Sequence, residues 1–295
     1  MKYETRPVGS NLSFGIKKLL QEEIPESLFE IPEPPKQMYL VGNMPKEGNI
    51  LLAVVGSRKY SNYGKEVCEK LIEGLAGQPV TILSGLALGI DSIAHREALK
   101  NNIQTIAIPG SGLDESVLYP TSHLNLAKEI VEKGGGLLSE FEPTFHATPY
   151  SFPRRNRIMA GLADAVLVIE AERKSGTLIT SRLATDYNKD VLAVPGSIFS
   201  RASEGPHMLI RLGATPITCV NDLLEALHLE PEQQVLNFDE CTEDELKILN
   251  LLDSPISRDE LFEKAQIEIQ ALNSILMMLE IKGFIMESAG MIARK

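Results

Sequence analysis

The chain has 295 residues, 43% of them hydrophobic and 23% charged, with a formal net charge of −11. That length suits one large α/β domain plus a small one, with an apolar share sufficient for a buried core. Cys68, Cys219 and Cys241 offer no C-x-x-C pair, which argues against a disulfide framework or zinc site, and no run approaches the roughly 20 apolar residues of a membrane span. The opening MKYETRPVGS leads into no apolar signal segment, so a reducing, cytoplasmic location without membrane contact is expected.

Residues 1–45 carry Pro25, Pro32, Pro34, Pro35 and Pro45 and read as an extended lead-in with one short helix near Ile16–Glu23. From residue 46 to 228 short apolar runs alternate with helical stretches. The predicted strands are Ile50–Val55, Val80–Leu83, Gln104–Ile108, Gly136–Ser139, Ala165–Ile169, Val191–Val194 and Pro216–Val220. Tyr63–Ala76, Ile90–Lys100, Ser122–Lys133 and Leu178–Tyr187 are the helix candidates between them. Strand, glycine turn and helix in repetition specify an α/β fold, a Rossmann-like, doubly wound, mainly parallel sheet. A polar linker, 229–240, leads to a compact tail at 241–295. Thr242–Leu252 opens with a Thr-x-x-Glu capping box, Ser257–Ala265 opens with Ser-x-x-Glu, and Ile267–Lys282 is amphipathic. The residues from Gly283 to Arg294 then read as a two-stranded hairpin, which completes a winged helix.

The chemistry gathers at the strand ends. AVVGSRKYSNYG follows the first strand, SGLALGID the second and IPGSGLD the third, and Lys174-Ser175-Gly176-Thr177-Leu178 opens a later helix. In an open parallel sheet these carboxyl ends face one crevice. Glycine admits backbone N–H groups to an anion there, and helix N-termini add partial positive charge. Hydroxyls at Ser57, Ser84, Ser111, Ser175 and Thr177 are expected to line it. The first turn lacks GxGxxG and the chain lacks GxxxxGK[ST], so a dinucleotide and a P-loop nucleotide are both disfavoured. Arg58 instead sets a guanidinium where a phosphate would approach.

In SFPRRNRIMAGLADAVLVIEA, Arg154, Arg155 and Arg157 cluster at a helix start, where cations oppose the macrodipole unless anions neutralise them. Phe152 beside them offers a stacking face. Cations next to an aromatic platform suit single-stranded nucleic acid. The alternative is that Phe152 is core and that an arginine bridges to Glu140 or Glu170; at least one arginine is expected to be structural. Catalytic groups are sparse: His95, His123, His146, His207 and His228 show no metal-ligand spacing. His95 is expected to pair with Asp91, and Glu140 and Glu170, near the strand ends, could serve a hydrolase.

GSRKYSNYG, SGLALGIDSIAH, GSGLD…YP, FPRRNRIMAGL, SGTLIT and AVPG, in this order, resemble the DNA-processing protein A (DprA/Smf) family over roughly Ile31–Glu225. The resemblance implies a non-enzymatic, cofactor-free and metal-free homodimer that binds single-stranded DNA and helps load the RecA recombinase in natural transformation. By the same resemblance the DNA contacts would be Gly56, Ser57, Arg58, Phe152, Arg155, Asn156 and Arg157, with Lys174 and Ser175 beside them. Three features depart from the pattern: a lead-in short for the family's N-terminal helical domain, His207 in place of asparagine, and Tyr187-Asn188-Lys189 in place of a Gly-Arg turn. GPHMLIRLGA places Met208 and Ile210 at an expected dimer contact, which Ile210→Glu would disrupt.

Two other classes compete. A nucleoside-monophosphate glycosidase shares the glycine-rich crevice, but KSGTLITS lacks a glutamate after its Gly-Thr. A winged-helix transcription factor would need cations on the tail, yet residues 239–295 hold six basic against twelve acidic residues. The tail is therefore expected to bind protein or nothing, since DNA readers neutralise phosphates.

Overall fold

The computed structural model describes residues 15–230, 241–252, 255–265, 267–282, 284–288 and 290–294. The chain falls into two compact units that divide between Pro231 and Glu232.

The larger unit is built on strands β1 (Lys17–Lys18), β2 (Tyr39–Gly42), β3 (Ile50–Val55), β4 (Val80–Ser84), β5 (Gln104–Ala107), β6 (Gly136–Ser139), β7 (Ala165–Val168), β8 (Asp190–Ala193) and β9 (Thr215–Pro216). Its helices are α1 (Asn62–Glu73), α2 (Ile90–Lys100), α3 (Leu124–Glu132), α4 (Ser151–Leu162), α5 (Thr177–Asp186), α6 (Glu204–Arg211) and α7 (Val220–Ala226). The strand order is β1-β2-β6-β5-β4-β3-β7-β8-β9. The strands from β6 to β9 in that order run parallel, whereas β2 pairs antiparallel with β6 and β1 antiparallel with β2. The chain winds outward from β3 through β4, β5 and β6, then returns to the other side of β3 as β7. That reversal opens a crevice outside the carboxyl ends of β3 and β7.

β3 reads ILLAVV because it is covered on both faces. Ala53 and Val55 enter one core with Leu83, Ile106, Ile158, Met159 and Val168. Leu52 and Val54 enter the opposite core with Cys68, Ile72, Ile90, Ala94 and Leu167. The period-2 alternation of a strand thus divides one apolar run between two layers.

Two predicted elements differ. The short helix expected over Ile16–Glu23 is instead β1 followed by a 3-10 turn at Gln21–Glu23. Lys17 and Lys18 pair with Leu40 and Tyr39, and Pro25 keeps the preceding residue extended. The strand expected over Pro216–Val220 stops at Pro216, and Val220 begins α7. Proline cannot donate to a ladder, and the Asp222 carboxylate accepts the N–H groups of Thr218 (2.7 Å) and Cys219 (3.2 Å), which starts a helix. These bonds and the Thr218 hydroxyl depress Asp222 to about 2.

The lead-in does more than extend. It supplies two strands, and Leu28 and Ile31 are buried against Gly161 of α4.

The smaller unit has helices α8 (Glu243–Leu251), α9 (Arg258–Ala265) and α10 (Ile269–Ile281) with a three-stranded sheet, β10 (Ile256–Ser257), β12 (Met291–Arg294) and β11 (Ile285–Ser288), in that order. The capping box is realised: Glu245 N–H donates to Thr242 Oγ1 (3.3 Å) and Thr242 N–H to Glu245 Oε2 (2.7 Å). Ile248, Leu261, Leu276, Leu279 and Ile292 form the core of a winged helix.

Because Leu28 is fully buried, Leu28→Ala should destabilise the larger unit by about 2–5 kcal/mol. Urea denaturation should show one cooperative transition at a lower midpoint. An unchanged midpoint would mean that the lead-in is not part of this core.

Candidate nucleic-acid interface

The crevice at the β3/β7 ends has a volume of about 510 Å³. Four segments line it: Gly56 to Lys59 after β3, Ala87 and Asp91 at the start of α2, residues of α4 from Phe152 to Met159, and residues between Glu172 and Thr180 before and within α5. Ser57 Oγ donates to the Lys59 carbonyl (2.8 Å) and accepts Lys59 N–H (3.0 Å), a tight turn that carries Arg58 outward. Across the opening, Ser175 Oγ donates to Thr177 Oγ1 (3.0 Å), which donates to the Gly56 carbonyl (3.0 Å). The start of α5 is thereby clasped to the end of β3, and its N-terminal turn faces the opening.

Arg58, Lys59 and Lys174 are exposed at the rim, with Glu172 the exposed carboxylate among the lining residues. Local charge at the mouth is therefore positive although the chain as a whole is acidic. Within a Debye length of roughly 8–10 Å the local sign governs a phosphate.

Arg155 forms the floor. It is buried, lies beside buried Asp91, donates to the Ile108 carbonyl and donates from Nε to Asn156 Oδ1 (3.1 Å). Burial lowers the guanidinium to about 10, with Asp91 opposing that shift, so it stays protonated at neutral pH. Burial likewise raises the Asp91 carboxyl, against the pull of Arg155 and the N–H of Gly85 at 3.1 Å.

Phe152 is half-buried. Its ring occupies the space over Gly110, where an added Cβ would come within 2.6 Å of Cδ1. The Arg58 guanidinium lies 5.2 Å from the ring centroid, and the Tyr119 ring lies 5.5 Å away at 54°. A cation–π contact of this kind contributes about 0.5–1 kcal/mol when exposed and poises Arg58 over the crevice.

Gly56, Ser57, Arg58, Phe152, Arg155, Asn156, Lys174 and Ser175 therefore converge on the crevice. Arg157 does not. It turns into the fold, pairs with Glu140 and donates to the Glu33 carbonyl (2.5 Å), which ties the lead-in to α4. Arg154, 60% exposed at its side chain, stands 3.3 Å from the same carboxylate. The macrodipole problem posed by three cations is thus solved inside the protein by Glu140, for two of them.

Other expected groups lie elsewhere. Ser84 donates to the Val54 carbonyl (2.7 Å) and Ser111 to the Gly112 carbonyl (2.9 Å), so both are buried fasteners, not crevice hydroxyls. His95 bonds Thr105 Oγ1 at 2.7 Å and not Asp91; burial holds its pKa near about 3 and keeps it neutral. Glu170 accepts Ser61 N–H (2.9 Å) and its hydroxyl, securing the entry to α1. Glu140 and Glu170 are thus engaged in the scaffold. Among the described residues no group of His, Cys, Asp and Glu could hold a metal, and no helix is long and apolar enough to cross a membrane. Asp91, expected to pair with His95, instead accepts the Gly85 N–H at the crevice floor, a placement that no pattern in the sequence signals.

The family model for DNA recombination-mediator protein A matches residues 16–228, and that for the DprA winged helix domain matches 230–291. The chain belongs to the DNA recombination-mediator protein A family. Similar members include Protein Smf of Escherichia coli, 37% identical over 274 residues, which are 90% of this chain and 73% of that protein. DNA processing protein DprA of Streptococcus pneumoniae is 42% identical over 206 residues, covering 70% of this chain and 72% of that one. The solved structure of the pneumococcal DprA matches with a TM-score of 0.66 at 40% identity, covering 72% of this chain and 74% of that one. The Helicobacter pylori DprA, described for its single-stranded DNA binding mode, matches with a TM-score of 0.65 at 32% identity, over 73% of this chain and 96% of that one. The mediator-family match covers the whole crevice. Of the departures from the family pattern, His207 lies on α6 with Nε2 3.1 Å from the Gly196 carbonyl oxygen, and Tyr187 packs against the core.

Arg157→Ala would leave the buried Glu140 carboxylate with only the exposed Arg154 and would free the Glu33 carbonyl, and it should destabilise the unit by about 3 kcal/mol. Arg58→Ala, at the exposed rim, should lose no more than about 1 kcal/mol, the range of its contact with Phe152. Denaturation midpoints of the two variants separate scaffold from surface; equal losses would overturn the assignment.

Proposed function

We propose that this chain binds single-stranded DNA in the β3/β7 crevice and passes it to the RecA recombinase as a non-enzymatic mediator in transformation and recombination. The observation that carries the reading is the juxtaposition of Arg58 and Lys174 at the mouth with the Phe152 ring beside them. Guanidinium and ammonium groups take phosphates, and a sequence-tolerant ring takes a base. The family name and the binding mode described for the Helicobacter relative support the same ligand.

The lack of enzymatic activity is part of the proposal. Of the lining carboxylates, Asp91 is buried and accepts the Gly85 N–H, and Glu172 lies on an exposed loop. Neither is set against a partner suited to proton transfer. The winged helix is read as a protein-binding or silent module, because α10 presents exposed Met277, Met278 and Ile269 where a duplex reader would carry cations.

Fluorescence anisotropy with matched single- and double-stranded oligonucleotides at several salt concentrations tests the main reading. Arg58→Ala should weaken binding ten- to a hundredfold on all sequences and lower the slope of log K against log salt by about 0.7. Phe152→Ala should reduce affinity with the slope nearly unchanged. Should Arg58→Ala remain folded with full affinity and the parental slope, the crevice is not the site.

Assembly as a homodimer through α6 is also proposed. Met208 and Ile210 are half-buried against their own core, whereas Leu212 is 77% exposed at the helix end. Leu212→Glu is therefore a cleaner disruption than Ile210→Glu. Light scattering should show a dimeric parent and a monomeric variant; a parent monomeric at micromolar concentration would sink the proposal.

A further inference from the structure

A second, smaller hollow lies on the far side of the Arg58–Phe152 wall. It shares Arg58, Phe152, Arg155 and Ala87 with the main crevice and adds Gly85, Leu88, Tyr119 and Pro120. Two of those additions are exposed apolar side chains: Leu88 is 49% and Tyr119 45% exposed. Single exposed apolar residues are ordinary. These two are unusual because buried bonds hold their backbones outward.

Leu88 rides on the turn between β4 and α2. Gly85 N–H donates to Asp91 Oδ2 (3.1 Å), the Leu86 carbonyl lies 2.8 Å from His123 Nδ1, and Ser92 Oγ donates to the Gly89 carbonyl (2.9 Å). Gly89, at φ +86°, lies so close to the Ser57 carbonyl that an added Cβ would sit 2.2 Å from it. Ile90 N–H donates to that same Ser57 carbonyl (3.2 Å), locking the turn to the Arg58 loop. Tyr119 N–H donates to buried Ser111 Oγ (3.1 Å), and the Tyr119 ring abuts Phe152. The backbone at both positions is thereby pinned, with each side chain left at the surface.

We infer that Leu88 and Tyr119 form a second base-docking shelf, which receives a nucleobase of the same strand whose phosphates occupy the β3/β7 crevice. This rests on the proposed single-stranded DNA reading and extends it from a crevice to a track. The occupant follows from continuity. The hollow shares its wall with a cationic crevice, so a ligand with a charged backbone and apolar rings matches both halves. The track crosses the sheet edge in the order β7, β3, β4, β5. Three strand spacings make about 14 Å, the length of about four stacked nucleotides at 3.4 Å each. The strand's direction along the track would place its phosphates at Lys174 and Arg58 and a following base beyond Phe152. Pyrimidine and purine faces should both be accepted, since the Tyr119 ring face and the Leu88 methyls meet a base through its π-face.

The test uses the full chain and oligothymidylates of increasing length, followed by anisotropy. Tyr119→Ala should weaken binding of a hexanucleotide about five- to a hundredfold, the range of one stacked base at 1–3 kcal/mol. Its salt slope should equal the parent's, and its affinity for a dinucleotide should be unchanged. Tyr119→Phe should bind like the parent. Leu88→Ser, whose side chain makes no ring contact with Phe152, should lose several-fold on the hexanucleotide alone, excluding an indirect effect through Phe152. Replacing successive nucleotides by an abasic spacer should reveal one position at which Tyr119→Ala adds no further loss. If the parent binds single strands but Tyr119→Ala and Leu88→Ser bind the hexanucleotide as it does, the shelf is wrong and the crevice stands. Equal losses on the dinucleotide and the hexanucleotide would also overturn the shelf. If the parent binds no single strand, both readings fall together.

Discussion

The crevice depends on two opposite charges taken out of water, the Arg155 guanidinium and the Asp91 carboxylate, each held by the backbone and attracting the other beneath the opening. Arg155 comes from α4 and Asp91 from the first turn of α2; the carbonyl of Ile108 and the N–H of Gly85 bring in the ends of β5 and β4. Two links thus tie four segments distant in sequence, α4 to the end of β5 and α2 to the end of β4, and the attraction between the two buried charges acts between them. Such a pair is not a large net source of stability, because desolvation opposes the attraction. Its effect is on geometry: removing either partner would leave an uncompensated charge beneath the binding surface, so the loops have one low-energy arrangement.

The same economy of charge explains why neighbouring arginines have different fates. In Phe152-Pro153-Arg154-Arg155-Asn156-Arg157 the helical pitch separates residues 155 and 157 by about 200°. Arg155 faces the crevice floor and Arg157 faces Glu140 and the lead-in. The exposed cations that remain free to meet a phosphate come instead from two loops, at Arg58, Lys59 and Lys174. Rigid helix and adjustable rim are thereby separated, with the cost of cation burial confined to the helix.

Much of this was legible in the sequence because the larger unit obeys local rules. Doubly covered strands read as apolar runs, helices open behind glycine or serine, and the Thr242–Glu245 capping box appears as written. The convergence of Gly56, Arg58, Phe152 and Lys174 followed from the rule that strand ends share one edge. What escaped was set by tertiary partners. No pattern marks Leu28, in a proline-rich stretch, as a core residue, and Lys17–Lys18 reads as strand only once β2 is present to pair it. Asp91 and His95 lie one helical turn apart and read as partners, but the Gly85 N–H bonds the first and Thr105 the second. Ser84 and Ser111 resemble crevice hydroxyls in spacing, but carbonyls beneath them take their protons.

The Arg58 guanidinium resting on Phe152 also bears on discrimination. In the free protein the aromatic face is already shielded by a cation, so an isolated apolar solute arriving there must first displace it and forfeit the contact. A polyanion does not face that barrier, because each phosphate that attracts Arg58 uncovers part of the ring as it binds. Charge and ring are thus coupled: on the proposed reading, free bases or small hydrophobes would be held weakly, and a ligand that presents both groups on one connected chain would be favoured.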